Sequence, residues 1–365
     1  MKRNILVLLA FFASASCTVR ESGRDTIGLV KAIAADTDCP EHIMLASFSK
    51  VPASGDIYIV GSPESCAMIS RAFIGCDVHD NARGRLQEDG LKDFAGETFA
   101  GMYDEVFTPY EAYAAANGPG AVRHLAVNYA LAALSPTCNM SIYDLDGNKE
   151  KNPAKMIVLS DPWLLYEGKF DIDTLFTLTG CKVPVVSPTA LLMDAAFGGE
   201  KKYFNIGILC DSTHIAGGVY RSVFEVAAKE HDIVGARCFT AATPSEGGPV
   251  SAFFEAYIQA GNTDPLDALL IDDWSVDMDA VRNKLDAVRD FNREEYLRYG
   301  KLLSPDFTVF CSSELTMTAC YDILRERSLF THRIAQPVST AYLVKLSPEA
   351  SDKQFLLIPS ENVQD

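Results

Sequence analysis

The sequence predicts an α/β protein of two lobes, each a largely parallel, Rossmann-like sheet flanked by helices. Three observations carry this. From about Glu41 onward, short β-branched or apolar runs alternate with helical stretches, as in sheets whose crossovers are helices. Strand-to-helix junctions recur in one form: Ser62-Pro63-Glu64, Asp161-Pro162-Trp163 and Ser187-Pro188-Thr189 each put a capping side chain before a proline suited to the first helical position. Finally, 365 residues that are 48% apolar and 22% charged suffice for a substantial core in more than one lobe.

The elements follow in chain order. Lys2-Arg3, the apolar run from Ile5 to Phe12 and the small residues Ala13 to Ser16 precede Cys17. The run is too short to span a bilayer, which takes about 20 apolar residues. It resembles a bacterial lipoprotein signal occupying residues 1–17, with Ser14 where that family usually carries Leu, and it implies export and lipidation at Cys17. Residues 18–40 are polar and mixed in charge and are expected to form a tether.

The first lobe is expected over 41–200 and the second over 201–365, with the chain crossing back to the first lobe after about residue 306. Predicted strands are His42–Phe48, Asp56–Val60, Met156–Ser160, Val183–Val186, Phe204–Cys210, Ile233–Phe239, Ala268–Asp272 and Phe307–Cys311. Residues 77–120 hold many turn formers and few periodic apolar positions, so an irregular insertion is expected there. A helical period returns at 121–134, with Val122, Leu125, Ala126, Tyr129 and Ala130 on one face; His124 reads as a surface or half-buried helix residue.

Composition narrows the function. A net charge of −17 without a Lys/Arg stripe argues against nucleic acid as a partner. Ten cysteines include no C-x-x-C pair, so neither a zinc site nor a redox dithiol is signalled. Cys210, Cys238 and Cys311 end or lie within apolar runs and read as buried small hydrophobes, although export would allow one or two disulfides. Asp77-x-His79 could open a metal site, but with six histidines no second ligand motif follows. G-x-S-x-G, G-x-G-x-x-G and G-x-x-x-x-G-K-[ST] are all missing, and no cofactor is expected.

In an open parallel sheet, ligands collect beyond the carboxyl ends of the strands. That rule selects Ser62, Ser65, Asp161, Trp163, Asp211, Ser212, Thr213, His214, Asp273, Trp274, Ser312, Ser313 and Glu314 as ligand-binding candidates. Ser, Thr and Asp are also common helix caps, and capping is the plainer reading for Ser62 and Ser187.

Two family resemblances arise here. The strand ending at Asp211, its glycine-bearing turn, the helix to Lys229, the next strand, the helix Pro249–Ala260 and LDALLIDD, together with VPVVSPTAL before and FTVFCSSELTMTACYDILRE, RIAQPV and LLIPSE after, resemble type I periplasmic-binding proteins over 183–361. This implies a small polar solute bound between the lobes without catalysis, Asp211, Asp272 and Glu314 as hydrogen-bonding candidates, a membrane link through the lipid and a transport or receptor partner. The expectation is therefore an exported, solute-binding lipoprotein.

The second resemblance points to an enzyme. VFCSSELT is similar to the V-L-G-C-T-E-L stretch of the aspartate/glutamate racemases, which have repeated α/β lobes and use two cysteines as acid and base. The alignment places Ser312 where one cysteine would be, with Cys311 adjacent, and Ser160-Asp161 at the region of the other. Serine has no accessible pKa for that proton transfer. The alternative is thus a racemase-, isomerase- or lyase-like enzyme on a related two-lobed fold.

Overall fold

The computed structural model describes residues 24–245, 247–348 and 355–360. Among them the strands are β1 (Asp56–Gly61), β2 (Thr98–Asp104), β3 (Thr137–Cys138), β4 (Lys149–Glu150), β5 (Ala154–Leu159), β6 (Val185–Val186), β7 (Asn205–Cys210), β8 (Arg237–Ala242), β9 (Leu266–Asp272), β10 (Leu303–Cys311), β11 (Val338–Leu346) and β12 (Phe355–Pro359). They build one sheet in the order β12-β11-β2-β1-β5-β6 and a second in the order β10-β9-β7-β8, with β3 and β4 as a small separate hairpin. Every pairing in the two large sheets is parallel except that of β11 with β12. The fold class is α/β with two mostly parallel sheets flanked by helices, as expected.

The strands are buried because their sequences are. β1, β2, β5 and β7 are covered at every position, which fits their near-continuous apolar runs. The helix Pro119–Leu134 presents Val122, Leu125, Ala126, Tyr129 and Ala130 to the first core, the face its period indicates. On the sheet's other side, the helices Pro63–Gly75 and Ser312–Glu326 contribute Phe73, Cys320, Tyr321 and Leu324 to a second core. Helix Ser312–Glu326 starts at the end of β10 in one sheet and packs against the other, which ties the lobes together. The chain then re-enters the first sheet at Val338.

Several local expectations are corrected. His42–Phe48 is not a strand: Pro40–Ser47 is a helix opened by proline, and the Cys39 thiol accepts from the His42 N–H. The β-branched reading overlooked Pro40 and the helix-favouring residues Glu41, Met44, Leu45 and Ala46. The described part of the expected tether is not free of the core, because Gly28–Ala35 is a helix with Val30 and Ile33 buried. It is pinned by the Ile27 N–H donating to Asp171 (3.0 Å), whose carboxylate also holds Arg123 at 2.6 Å.

The expected strand Ile233–Phe239 begins only at Arg237, since Asp232 and Gly235 adopt positive φ and turn the chain first. The expected insertion at 77–120 contains β2, which lies between β1 and β11 near the middle of its sheet. All nine cysteines among the described residues are free thiols, so no disulfide joins them. The signal segment and Cys17 lie outside the described residues. No helix among the described residues is long and apolar enough to cross a membrane.

Candidate functional site

The carboxyl ends of the two sheets meet. β5 runs into Ser160 and Asp161, and the Asp161 Oδ1 accepts from the Trp163 N–H at 2.7 Å, turning the chain into the next helix. β7 runs into Asp211, whose Oδ1 accepts from both the N–H and the hydroxyl of Thr213 at 2.7 Å and tightens a short 3-10 turn. That turn projects His214 across the gap, where its Nε2 lies 3.1 Å from Asp161 Oδ2. Beyond it Gly217 abuts the first lobe so closely that a Cβ there would stand 2.5 Å from Glu111 Cδ. Trp274, after β9, likewise reaches the first lobe and packs on Phe73 with ring centroids 6.4 Å apart.

Next to His214 stands a buried carboxyl, Asp272, at the end of β9. Its Oδ2 accepts from Thr189 Oγ1 at 2.6 Å and from the Tyr220 hydroxyl at 2.9 Å. The His214 ring meets the Tyr220 ring edge-on at 6.1 Å. Asp161, His214, Tyr220, Asp272 and Thr189 therefore form one connected polar group drawn from both lobes. Ser312, fully buried at the start of its helix, faces the same carboxyl.

Burial raises the Asp272 pKa, and the hydrogen bonds from Thr189 and Tyr220, with the Ser312 hydroxyl nearby, offset this only in part. At His214, burial presses the pKa down. The hydrogen bond and charge of Asp161, with Asp272 and Asp211 nearby, overcome that pressure and leave the imidazole above its ordinary value. Asp161 also sets the proton position: accepting from Nε2–H, it leaves the Nδ1 lone pair of the neutral ring uncommitted. His214 Nδ1 is buried and without a hydrogen-bond partner among the described residues, as are Trp163 Nε1 and Ser187 Oγ. Buried polar atoms are ordinarily satisfied, so each such group calls for an explanation.

A second buried cluster closes the first-lobe side. Asp104 ends β2, fully buried, and its Oδ1 accepts from the N–H groups of Val106 (3.0 Å) and Phe107 (2.9 Å) while Oδ2 accepts a short bond from the Tyr129 hydroxyl. Burial raises its pKa against those bonds. Tyr110, buried beside Asp104, also feels the charge of Asp161.

The other sequence candidates are placed as follows. Ser62 caps helix Pro63–Gly75, its Oγ accepting from the Ser65 N–H at 3.2 Å and donating to Ser65 Oγ at 3.0 Å. Ser212 and Thr213 belong to the exposed turn that carries His214. Asp273 caps its own turn, accepting from the Ser275 N–H and hydroxyl at 2.9 and 2.6 Å. Ser313 Oγ is 3.0 Å from Cys311 Sγ. Glu314 stands apart, on the surface and ion-paired with Arg282.

Sequence reasoning missed Asp104, Tyr110, Tyr129, Thr189 and Tyr220. Asp104 carried a signal, ending the apolar run Phe99 to Tyr103 as Asp272 ends its own. Thr189 and Tyr220 are helix residues whose sequence neighbours reveal nothing about Asp272.

No family model and no curated protein sequence matches the chain. Solved structures do. A glutamate racemase isoform from Bacillus anthracis aligns over 80% of this chain and 89% of its own, at 14% identity and a TM-score of 0.45. A glutamate racemase from Francisella tularensis, solved with D-glutamate, covers the same shares at 12% identity and 0.47. An aspartate racemase homologue from Pyrococcus horikoshii aligns over 74% of this chain and all of its own, at 13% identity and 0.37. The likeness is to racemases, and it is a likeness of fold.

This corrects the expectation of an exported solute-binding lipoprotein built like a type I periplasmic-binding protein. The structures named above are titled as racemases and a racemase homologue rather than as solute-binding proteins.

Proposed function

We propose that the protein is a proton-transfer enzyme of the isomerase or lyase kind, acting on a small polar molecule held between the two sets of strand ends. The observation that carries this is the Asp161–His214 pair, which links the lobes and leaves His214 Nδ1 buried and free. An imidazole oriented by a carboxylate is a general base with its working nitrogen directed away from its orienter. In this reading Nδ1 takes a proton from substrate carbon, and Asp272, held toward its neutral form, returns one. The buried donors of Trp163 and Ser187 would bind acceptor atoms of the substrate, in keeping with their lack of protein partners.

Thiol chemistry is not assigned. Burial holds the Cys311 and Cys210 thiols above their ordinary pKa, which keeps them protonated at neutral pH. Ser312 stands where the racemase resemblance would place one cysteine, and Ser160-Asp161 lies at the region of the other.

The test is incubation of the protein in D2O with a panel of α-amino, α-hydroxy and β-hydroxy carboxylates, read by mass spectrometry. Enzyme-dependent uptake of one deuterium at a carbon-bound position, or loss of water or ammonia, is expected for one class. A panel that stays unlabelled and intact would overturn the proposal.

A further inference from the structure

An open pocket of about 550 Å³ lies on the first lobe, walled by helix Pro119–Leu134, the loop of the β3–β4 hairpin, the segment after β2, and β12. Its volume falls within the range of about 300–1,000 Å³ usual for small-molecule sites. None of the residues of the Asp161–His214–Asp272 group lines it. Its walls combine two kinds of surface. Tyr113 and Phe355 place aromatic side chains on the wall, with the buried Phe107 behind Tyr113, a lining suited to a flat ring.

His124 and Asn128, one turn apart on the same helix, supply polar edges. Neither side chain makes a hydrogen bond among the described residues. An asparagine amide offers a donor and an acceptor side by side, and a neutral imidazole offers one of each. Their complement is a ring edge carrying an adjacent acceptor and donor. Asp146 adds a negative charge to the wall, and no lysine or arginine is among the described lining residues, so an anion would be repelled by Asp146 in a chain of net charge −17.

We propose that this pocket is a second ligand site, for an uncharged flat heteroaromatic molecule of the nucleobase or nucleoside type. Tyr113, backed by Phe107 in edge-to-face contact at 5.0 Å, and Phe355 flank the ring, and Asn128 reads its polar edge with the exposed His124 beside it. The site is independent of the chemistry assigned to the strand ends.

Calorimetric titration of the full chain with adenosine, guanosine, cytidine and uridine tests this. Saturable binding of at least one is expected, weakened at least tenfold by Asn128→Leu, abolished by Ala132→Phe, which fills the pocket, and unchanged by His214→Ala. The corresponding monophosphate should bind at least tenfold more weakly. Thermal melting establishes that each variant is folded, and either pocket variant alone decides the matter. No saturable heat from any of the four at millimolar concentration would overturn the proposal, as would binding that survives the pocket variants or disappears with His214→Ala.

Discussion

Replacing His214 with alanine is expected to lower the rate of solvent-hydrogen exchange into substrate by about 10²–10⁴-fold, the usual contribution of a positioned general acid–base group. The fold should persist, because His214 sits on the short turn that follows β7 and makes a single side-chain hydrogen bond among the described residues. Asp161→Asn should cost less, since it leaves the imidazole present while weakening its orientation. The pH dependence has a definite sign. The folded-state pKa of His214 is raised, chiefly by Asp161 working against burial. The stability contributed by the bridge between lobes is thus fully present below the ordinary imidazole value of about 6.5 and is lost as pH rises through the raised folded value. Acting as a base, His214 must lose its proton, so the ascending limb of the rate profile is expected above about 6.5 and should vanish in His214→Ala.

The largest stability effect is expected at Lys155, at the foot of β5. Its ammonium is fully buried 2.5 Å from Glu97 Oε2 and also donates to the carbonyls of Ala53 (2.9 Å) and Leu329 (2.8 Å). Glu97 in turn accepts from the Thr331 N–H at 2.7 Å. The pair therefore joins β5, the entry to β2 and the segment leading back to β11. Burial drives the Lys155 pKa down, and Glu97 opposes that. Lys155→Met would strand a buried carboxylate and is expected to cost about 3–5 kcal/mol, the range for breaking a buried pair from one side. Chemical denaturation measures it. Adding Glu97→Gln should recover much of the loss, because the uncompensated charge is then removed as well.

The legible parts of the fold were those where local chemistry and tertiary position agree. Proline after a serine marked the helices at Pro63 and Pro188, although Ser62 caps its helix through its side chain and Ser187, expected to do the same, makes no capping bond among the described residues; the strands ending at Cys210 and Asp272 were continuous apolar runs. β2 was hidden because the polar loop before it, 77–97, suggested irregular structure throughout, although Thr98 to Asp104 is buried at every position. His42–Phe48 reads equally well as strand or helix over so short an apolar run. For the site, the rule that ligands gather at strand ends selected Asp161 and His214. It could not separate them from Asp211, Asp273 and Ser62, which occupy equivalent positions and serve as caps. The difference lies in a contact 53 residues apart in sequence, which no local pattern encodes. Glu314 has the spacing of a site residue, yet Arg282 holds it on the surface.

Asp161 orients His214 and favours its charged form where the two sheets meet. Nitrogen-15 NMR titration of the His214 imidazole, in the wild-type protein and in Asp161→Asn, tests this directly. A wild-type midpoint above about 6.5, with the neutral ring protonated at Nε2 and a clear fall in midpoint on Asp161→Asn, is the result this account expects. A midpoint at or below that value and unmoved by the substitution would contradict it.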